Sequence, residues 1–345
     1  MHKRVFLYNA GKGDESFIQG LLHRRQNHNV SLLSYCRTIT ESLYAEGRIR
    51  SWKKYRMMYG KLERFLSDYT ESRTHDIPLR KVNRTFIQDF DTYLRSSSLH
   101  PNSVNVNMSV LQTIINRAFF VDDAIPGKTT PFHGYSFRQL KSYKAVLRPE
   151  EIENLRTLSL KANPELWNAR NVFLFSYYCA GIRVGDILKL KWSNVTSDNR
   201  LFYIMSKNLK YRDLALVKPA RDILSAYKRQ KEGFIFPFLN PVAAYSLYPE
   251  RILTPCQKLE LSNDISNASK RINRALGKIC NMAGIDKHVT MHVSRHSFAN
   301  LAREKGVMSA EIKDLLAHSN LKTTELYMGE FDRQRSDDIL HNLFE

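Results

Sequence analysis

The chain has 345 residues, 43% of them hydrophobic and 25% charged, with 53 Lys and Arg against 34 Asp and Glu, a formal net charge of +19. Apolar content at the globular level excludes a disordered chain, and the length suits two domains or three. A mean hydropathy of −0.42 and the lack of a long uncharged apolar run argue against a membrane span, and Val5–Tyr8 is too short for a signal-peptide core. So large an excess of positive charge calls for an anionic partner, nucleic acid first and an anionic membrane surface second. The charge is spread along the chain: residues 1–150 hold 24 basic and 13 acidic side chains, and residues 151–345 hold 29 and 21. Both halves are therefore expected to meet a polyanion. The four cysteines, at 36, 179, 256 and 280, form no Cys-x-x-Cys pair, which argues against a zinc ribbon or a thioredoxin-like site and, with no signal-peptide core, favours a reducing cytoplasm.

Residues 1–30 are a polar extension with scattered aromatics. From Ser31, a candidate N-cap, apolar residues recur at helical spacing to Ala45. A second helix is predicted from Ser51 to Tyr69, with Tyr55, Met58, Leu62 and Phe65 on one face. Its Lys53, Lys54, Arg56, Lys61 and Arg64 are candidates for contacts with DNA phosphates. A third is predicted over Asn83–Arg95, and a fourth after Pro101 as far as Phe120. Residues 31–122 thus read as a compact helical module. The stretch 123–145, with Pro126-Gly127, Pro131 and Gly134, reads as a linker. Residues 146–345 form a second domain. Helices are predicted near 150–160 and 165–180, and antiparallel strands at 201–205 and 214–217. A looser proline-containing region spans 237–263, with helices after it. Cys179, at the end of an apolar run, reads as core. The class is mainly α with a small β-sheet.

Reactive side chains gather in three boxes. The first is Gly181-Ile182-Arg183, with Asp186 three residues on and placed to brace the arginine on one helical face. The second is His292-Val293-Ser294-Arg295-His296, in a helix that Gly306 would end. A zinc pair at His292 and His296 is the bland alternative, but Val293 stands where a metalloprotease helix needs glutamate, and no metal is expected. The third is Leu315-Leu316-Ala317-His318, followed by Thr323-Thr324 and Tyr327. Two arginines, several histidines and a tyrosine, with no carboxylate cluster for magnesium, suit phosphoryl transfer without metal or other cofactor. Arginines hold the phosphate oxygens, a histidine takes the tyrosine proton, and the phenolate attacks phosphorus.

The order and spacing of these boxes resemble the tyrosine recombinase (phage integrase) family, over nearly the whole chain from about residue 30. The resemblance implies a two-domain clamp on DNA: a helical, SAM-like core-binding domain and an α+β catalytic domain. It implies that Tyr327 is the nucleophile forming a 3′-phosphotyrosyl bond, and that Arg183 and Arg295 hold the scissile phosphate. It further implies that His292 aids proton transfer, His318 hydrogen-bonds the phosphate, and Asp186 and His296 give support. The family's catalytic lysine lies in a β-hairpin turn with the pattern Lys-Thr-Gly-Lys; here the turn reads Lys207-Asn208-Leu209-Lys210, so Lys207 is assigned, with Lys210 as the alternative.

The activity implied is site-specific recombination of integrase or invertase type, passing through a Holliday junction. The DNA partner would be duplex with inverted-repeat core sites, bound by a homotetramer and possible accessory DNA-bending proteins at the nucleoid of the cytoplasm. Only 30 residues precede the helical module, which tilts the reading towards an invertase or resolvase-like enzyme, with a compact integrase as the alternative. The tail from 331, with Ile339, Leu340, Leu343 and Phe344, is expected to dock on a neighbouring protomer. A type IB topoisomerase and a DNA-binding protein that has lost catalysis are the rival readings.

Overall fold

The computed structural model describes residues 30–70, 75–137, 140, 144–160, 162–227 and 233–317. The chain divides into two compact units, Met1–Ser142 and Tyr143–Glu345. The N-terminal extension, the tail from 331, and the positions of His318 and Tyr327 lie outside the described residues.

The first unit is built on α1 (Leu32–Ala45), α2 (Ile49–Tyr69), α3 (Arg84–Ser96) and α4 (Pro101–Phe120). Each buries one apolar stripe, as the 3.6-residue period requires. Phe65 of α2 lies at the centre, with ring centroids 5.6 Å from Phe86 and 5.1 Å from Phe90 of α3. The Asn83 side chain caps α3 by accepting from the Phe86 amide at 3.0 Å. Pro101 opens α4, where its missing N–H costs nothing.

Two expectations for this unit need correction. Ser31 precedes α1 but makes no side-chain cap. Its extended backbone instead bridges Pro78, flanked by the Leu32 amide on the Ile77 carbonyl at 2.8 Å and the Leu79 amide on the Val30 carbonyl at 2.9 Å. The stretch after α4 is also no free linker. Ile125 and Phe132 are buried in the core of the first unit, and the Tyr135 hydroxyl donates to Asp91 at 2.8 Å. Proline and glycine shape the turns there, but the aromatic residues between them have enough apolar surface to anchor the segment.

The second unit is organised around α6 (Pro164–Tyr178). Val172 to Tyr177 are buried in succession, so this helix is surrounded rather than one-sided. Around it lie α5 (Pro149–Thr157), α8 (Lys218–Ser225), α10 (Pro255–Met282) and α11 (Met291–Glu304). Short helices α7 (Val184–Ile187), α9 (Ala244–Leu247) and α12 (Ser309–Leu315) complete it. Cys179 is buried in the core.

The sheet is a single antiparallel pair, β1 (Arg200–Ile204) and β2 (Tyr211–Ala215), in register from Arg200 opposite Ala215 to Ile204 opposite Tyr211. The second strand thus begins three residues earlier than expected, and Val217 leads into α8. Helix α10 corrects the looser region. Thr254 and Gln257 cap each other's backbone amides, at 2.9 and 3.3 Å, and Pro255 occupies the first turn. A proline that reads as a breaker is here a helix start.

Candidate active site

The first box sits where α6 ends. Ala180 and Gly181 have φ of 57° and 67° and reverse the chain so that Arg183 opens α7. Gly181 lies against Arg295: a Cβ built there would meet the arginine's Cγ at 2.7 Å and its Cα at 2.9 Å. Positive φ and this close approach both demand glycine. The turn is held from below by Ser176, whose hydroxyl donates to the Ile182 carbonyl at 2.8 Å and lies 2.7 Å from the Ser294 hydroxyl of α11. Both serines are fully buried. Arg183 is half-buried, and its Nη1 is buried with no hydrogen-bond partner among the described residues.

Asp186 does not brace Arg183 as expected. It is buried, and its Oδ1 accepts from the Ser206 amide at 3.0 Å and the Ser206 hydroxyl at 2.6 Å. The one-turn α7 points the carboxylate at the β1–β2 turn instead. That turn is closed by the Met205 amide on the Lys210 carbonyl at 2.9 Å and the Leu209 amide on the Met205 carbonyl at 3.0 Å. Leu209 has φ of 55°, the left-handed conformation that favours glycine. Lys207 is exposed on this turn, directly after Ser206.

His292 lies in the first turn of α11, with His296 one turn on and their rings 6.2 Å apart. Burial, then the charges of Arg295, Arg183, Lys144 and Lys207, hold the His292 imidazole below its ordinary pKa. Cations from four separate stretches of sequence therefore act on one ring, and Lys207 is the hairpin lysine among them. The ring is neutral near pH 7, the form that can accept a proton. His296 is pushed down to about 4 by burial, Lys144, His292 and Arg295. Arg295 is buried, and its guanidinium donates to the Gly181 carbonyl at 2.7 Å and to the Leu316 carbonyl.

Arg183, Asp186, Lys207, His292, Arg295 and His296 thus all belong to the second unit. Sequence reading did not find Lys144, which it left in the linker, nor Ser176 and Ser206, which carry no motif. The cations expected to contact DNA lie on α2 of the first unit. Lys54, Arg56 and Arg64 are exposed, and Lys53 and Lys61 half-exposed. Arg56 sits over the Trp52 ring at 5.2 Å. Burial and the neighbouring Arg64 lower the Lys61 pKa, so this face already carries like-charge repulsion that an anion would relieve.

The described residues contain no helix long and apolar enough to cross a membrane. Residues 145–333, more than half of the chain, match the model of the phage integrase family, and residues 31–126 match its SAM-like domain. A tyrosine recombinase of Pseudothermotoga lettingae is 26% identical over 81% of this chain and 88% of its own length. The recombinase XerD of Rickettsia bellii is 26% identical over 74% and 82%. Among solved structures, a lambda integrase dimer bound to a core site matches with a TM-score of 0.59 at 18% identity, covering 95% of this chain and 85% of its own. XerH recombinase bound to its difH substrate matches with a TM-score of 0.56 at 18% identity, over 84% and 78%. The fold is therefore shared with these enzymes, and the chain belongs to the phage integrase family, the tyrosine-type site-specific DNA recombinases.

Proposed function

We propose that this protein recombines duplex DNA at inverted-repeat core sites through a covalent tyrosine intermediate, with Tyr327 as nucleophile. The observation that carries the reading is the docking of the Gly181-Ile182-Arg183 turn on α11, where Arg295, one turn from His292, donates to the Gly181 carbonyl at 2.7 Å. With Lys207 and His292, the two arginines supply what in-line attack on a phosphodiester needs. The arginines, one with a buried nitrogen that has no partner among the described residues, neutralise the non-bridging oxygens, and His318 adds a hydrogen bond to them. The phenolic proton leaves Tyr327 for His292, and the phenolate forms a bond to phosphorus. The bond from phosphorus to the 5′-oxygen breaks as Lys207 protonates that oxygen. Asp186 and His296 support the site without touching the phosphate. In the second half, the 5′-hydroxyl of a partner duplex attacks the phosphotyrosine and releases Tyr327. Bond energy is conserved throughout, so the chemistry requires no added energy source.

The working form in this reading is a homotetramer on two synapsed sites, joined through the tail from residue 331, acting on DNA at the nucleoid of the cytoplasm. Lys53, Lys54, Arg56, Lys61 and Arg64 supply sequence-independent phosphate contacts from the first unit. Nicked suicide duplexes test the reading. The wild-type protein is expected to accumulate a covalent adduct on its own site, and Tyr327→Phe to bind the same duplex without one. An adduct of equal yield in both proteins would remove Tyr327 from the role.

A further inference from the structure

Helix α12 ends at Leu315, Leu316 caps it, Ala317 follows with φ of 47°, and His318 is the next residue in the chain. Four consecutive carbonyls at this end each accept a side-chain donor from another element. Arg212 of β2 donates through Nη1 to Asp314 at 2.8 Å and through Nη2 to Leu315 at 2.6 Å. Arg295 of α11 donates to Leu316. Asn208, in the hairpin turn beside Lys207, donates through Nδ2 to Ala317 at 3.3 Å.

The last carbonyls of a helix lack intrahelical partners and carry the negative end of its dipole, so cationic donors are favourable there. A cap alone would need one donor from a nearby residue. Here the donors come from two elements distant in sequence, and both elements bear residues assigned to the reaction. The hairpin that presents Lys207 is tied through Asn208 and Arg212 to the turn that leads into His318. The same turn is tied to the phosphate-binding Arg295. Both Nη groups of Arg212 are engaged with carbonyls, a two-point hold whose direction the flat guanidinium fork fixes and the rotating donors of an ammonium do not.

We propose that Arg212 and Asn208 are positioning residues, which lock the Lys207 hairpin to the end of α12 so that Lys207 and His318 reach the same scissile phosphate. The proposal rests on the roles given above to Lys207, Arg295 and His318. Neither residue belongs to the set that the sequence boxes single out.

The test uses the full-length protein and a nicked suicide duplex carrying the site recovered by selecting covalent adducts from sheared genomic DNA. Single-turnover adduct formation, binding of the un-nicked duplex against salt, and melting temperature are measured for wild type, Arg212→Ala, Arg212→Lys, Asn208→Ala, His318→Ala and the Arg212→Ala/His318→Ala pair. Both Arg212 variants are expected to slow adduct formation by about tenfold or more, because small misplacements of reacting groups are costly. Affinity and its salt slope should stay within about twofold of wild type. In the His318→Ala background, Arg212→Ala should slow the reaction by no more than about twofold, since the two act as one unit.

Rescue by Arg212→Lys, a salt slope reduced by about one, or independent multiplication of the two effects would each overturn the proposal. The last two would make Arg212 a phosphate contact or a plain cap. Should Arg212→Ala not fold, Asn208→Ala, which removes one bond, takes its place in the comparison with His318→Ala. Genomic DNA that the wild-type protein binds but from which it yields no covalent adduct would sink the functional reading itself. Wild-type cleavage with unaffected Arg212 and Asn208 variants would sink the positioning claim alone.

Discussion

Gly181 is the residue on which the geometry of the site turns. It accepts Arg295 through its carbonyl, and its missing Cβ leaves room for the stem of the same arginine. Gly181→Ala is expected to cost about 2–4 kcal/mol, from positive φ and from contact with a backbone atom that cannot move aside. Chemical denaturation would measure it, and a cost below 0.5 kcal/mol, roughly the size of a neutral surface change, would contradict the packing described. The histidines give a prediction in pH. His296 is lowered from its ordinary 6.5 to about 4, and His292 is lowered too. The unfolded chain therefore binds more protons than the folded one in this window. The stability they contribute is present above pH 6.5 and is lost as pH falls towards 4. Denaturation midpoints across that range should fall with acid for wild type and fall less steeply for His296→Asn. In the proposed mechanism adduct formation should share the acid-side loss, because a protonated His292 could not take the proton of Tyr327.

The hairpin is the element that couples the parts. Asp186 holds Ser206 by two hydrogen bonds, and Lys207 follows directly. Asp186→Ala leaves the Ser206 amide without its acceptor, and is expected to slow adduct formation about tenfold or more while DNA affinity changes little. An unchanged cleavage rate would show that Asp186 is structural only. The sequence made the helical module legible because α2 and α3 follow a clean apolar period, and α3 and α4 have recognisable starts at Asn83 and Pro101. The boxes holding the two arginines and His292 stand out by their fixed internal spacing, and the structure brings the first against the second through Gly181 and Arg295. Sequence reading misplaced what depends on tertiary contact. Asp186 faces Arg183 on a helical wheel, but α7 is a single turn and the hairpin lies within the carboxylate's reach. Phe132 sits among turn residues, and only burial shows it to be core. Ser176 and Ser294 meet from residues 118 apart, a separation that no local pattern encodes.

At the scale of the whole molecule, the net charge of +19 is distributed over both units. Among the described residues, the charges of Arg295, Arg183, Lys144 and Lys207 act on the His292 ring. Most of the remaining cations are left to supply salt-dependent affinity. Binding to duplex DNA should weaken by several powers of ten between about 50 and 200 mM salt if six or more phosphates are contacted. Replacing Lys54 or Arg56 by alanine should reduce the slope of log affinity against log salt by about one each, uniformly across sequences. A slope unchanged by either would remove α2 from the DNA surface. The central claim, that both units serve one covalent exchange at one phosphate, is tested most directly by the linkage itself. The adduct trapped on a nicked duplex should be digested and its peptide identified by mass. The account predicts a 3′-phosphate esterified to Tyr327, with a free 5′-hydroxyl on the released strand. A nucleotide on another residue, or a 5′-phosphoryl linkage, would contradict it.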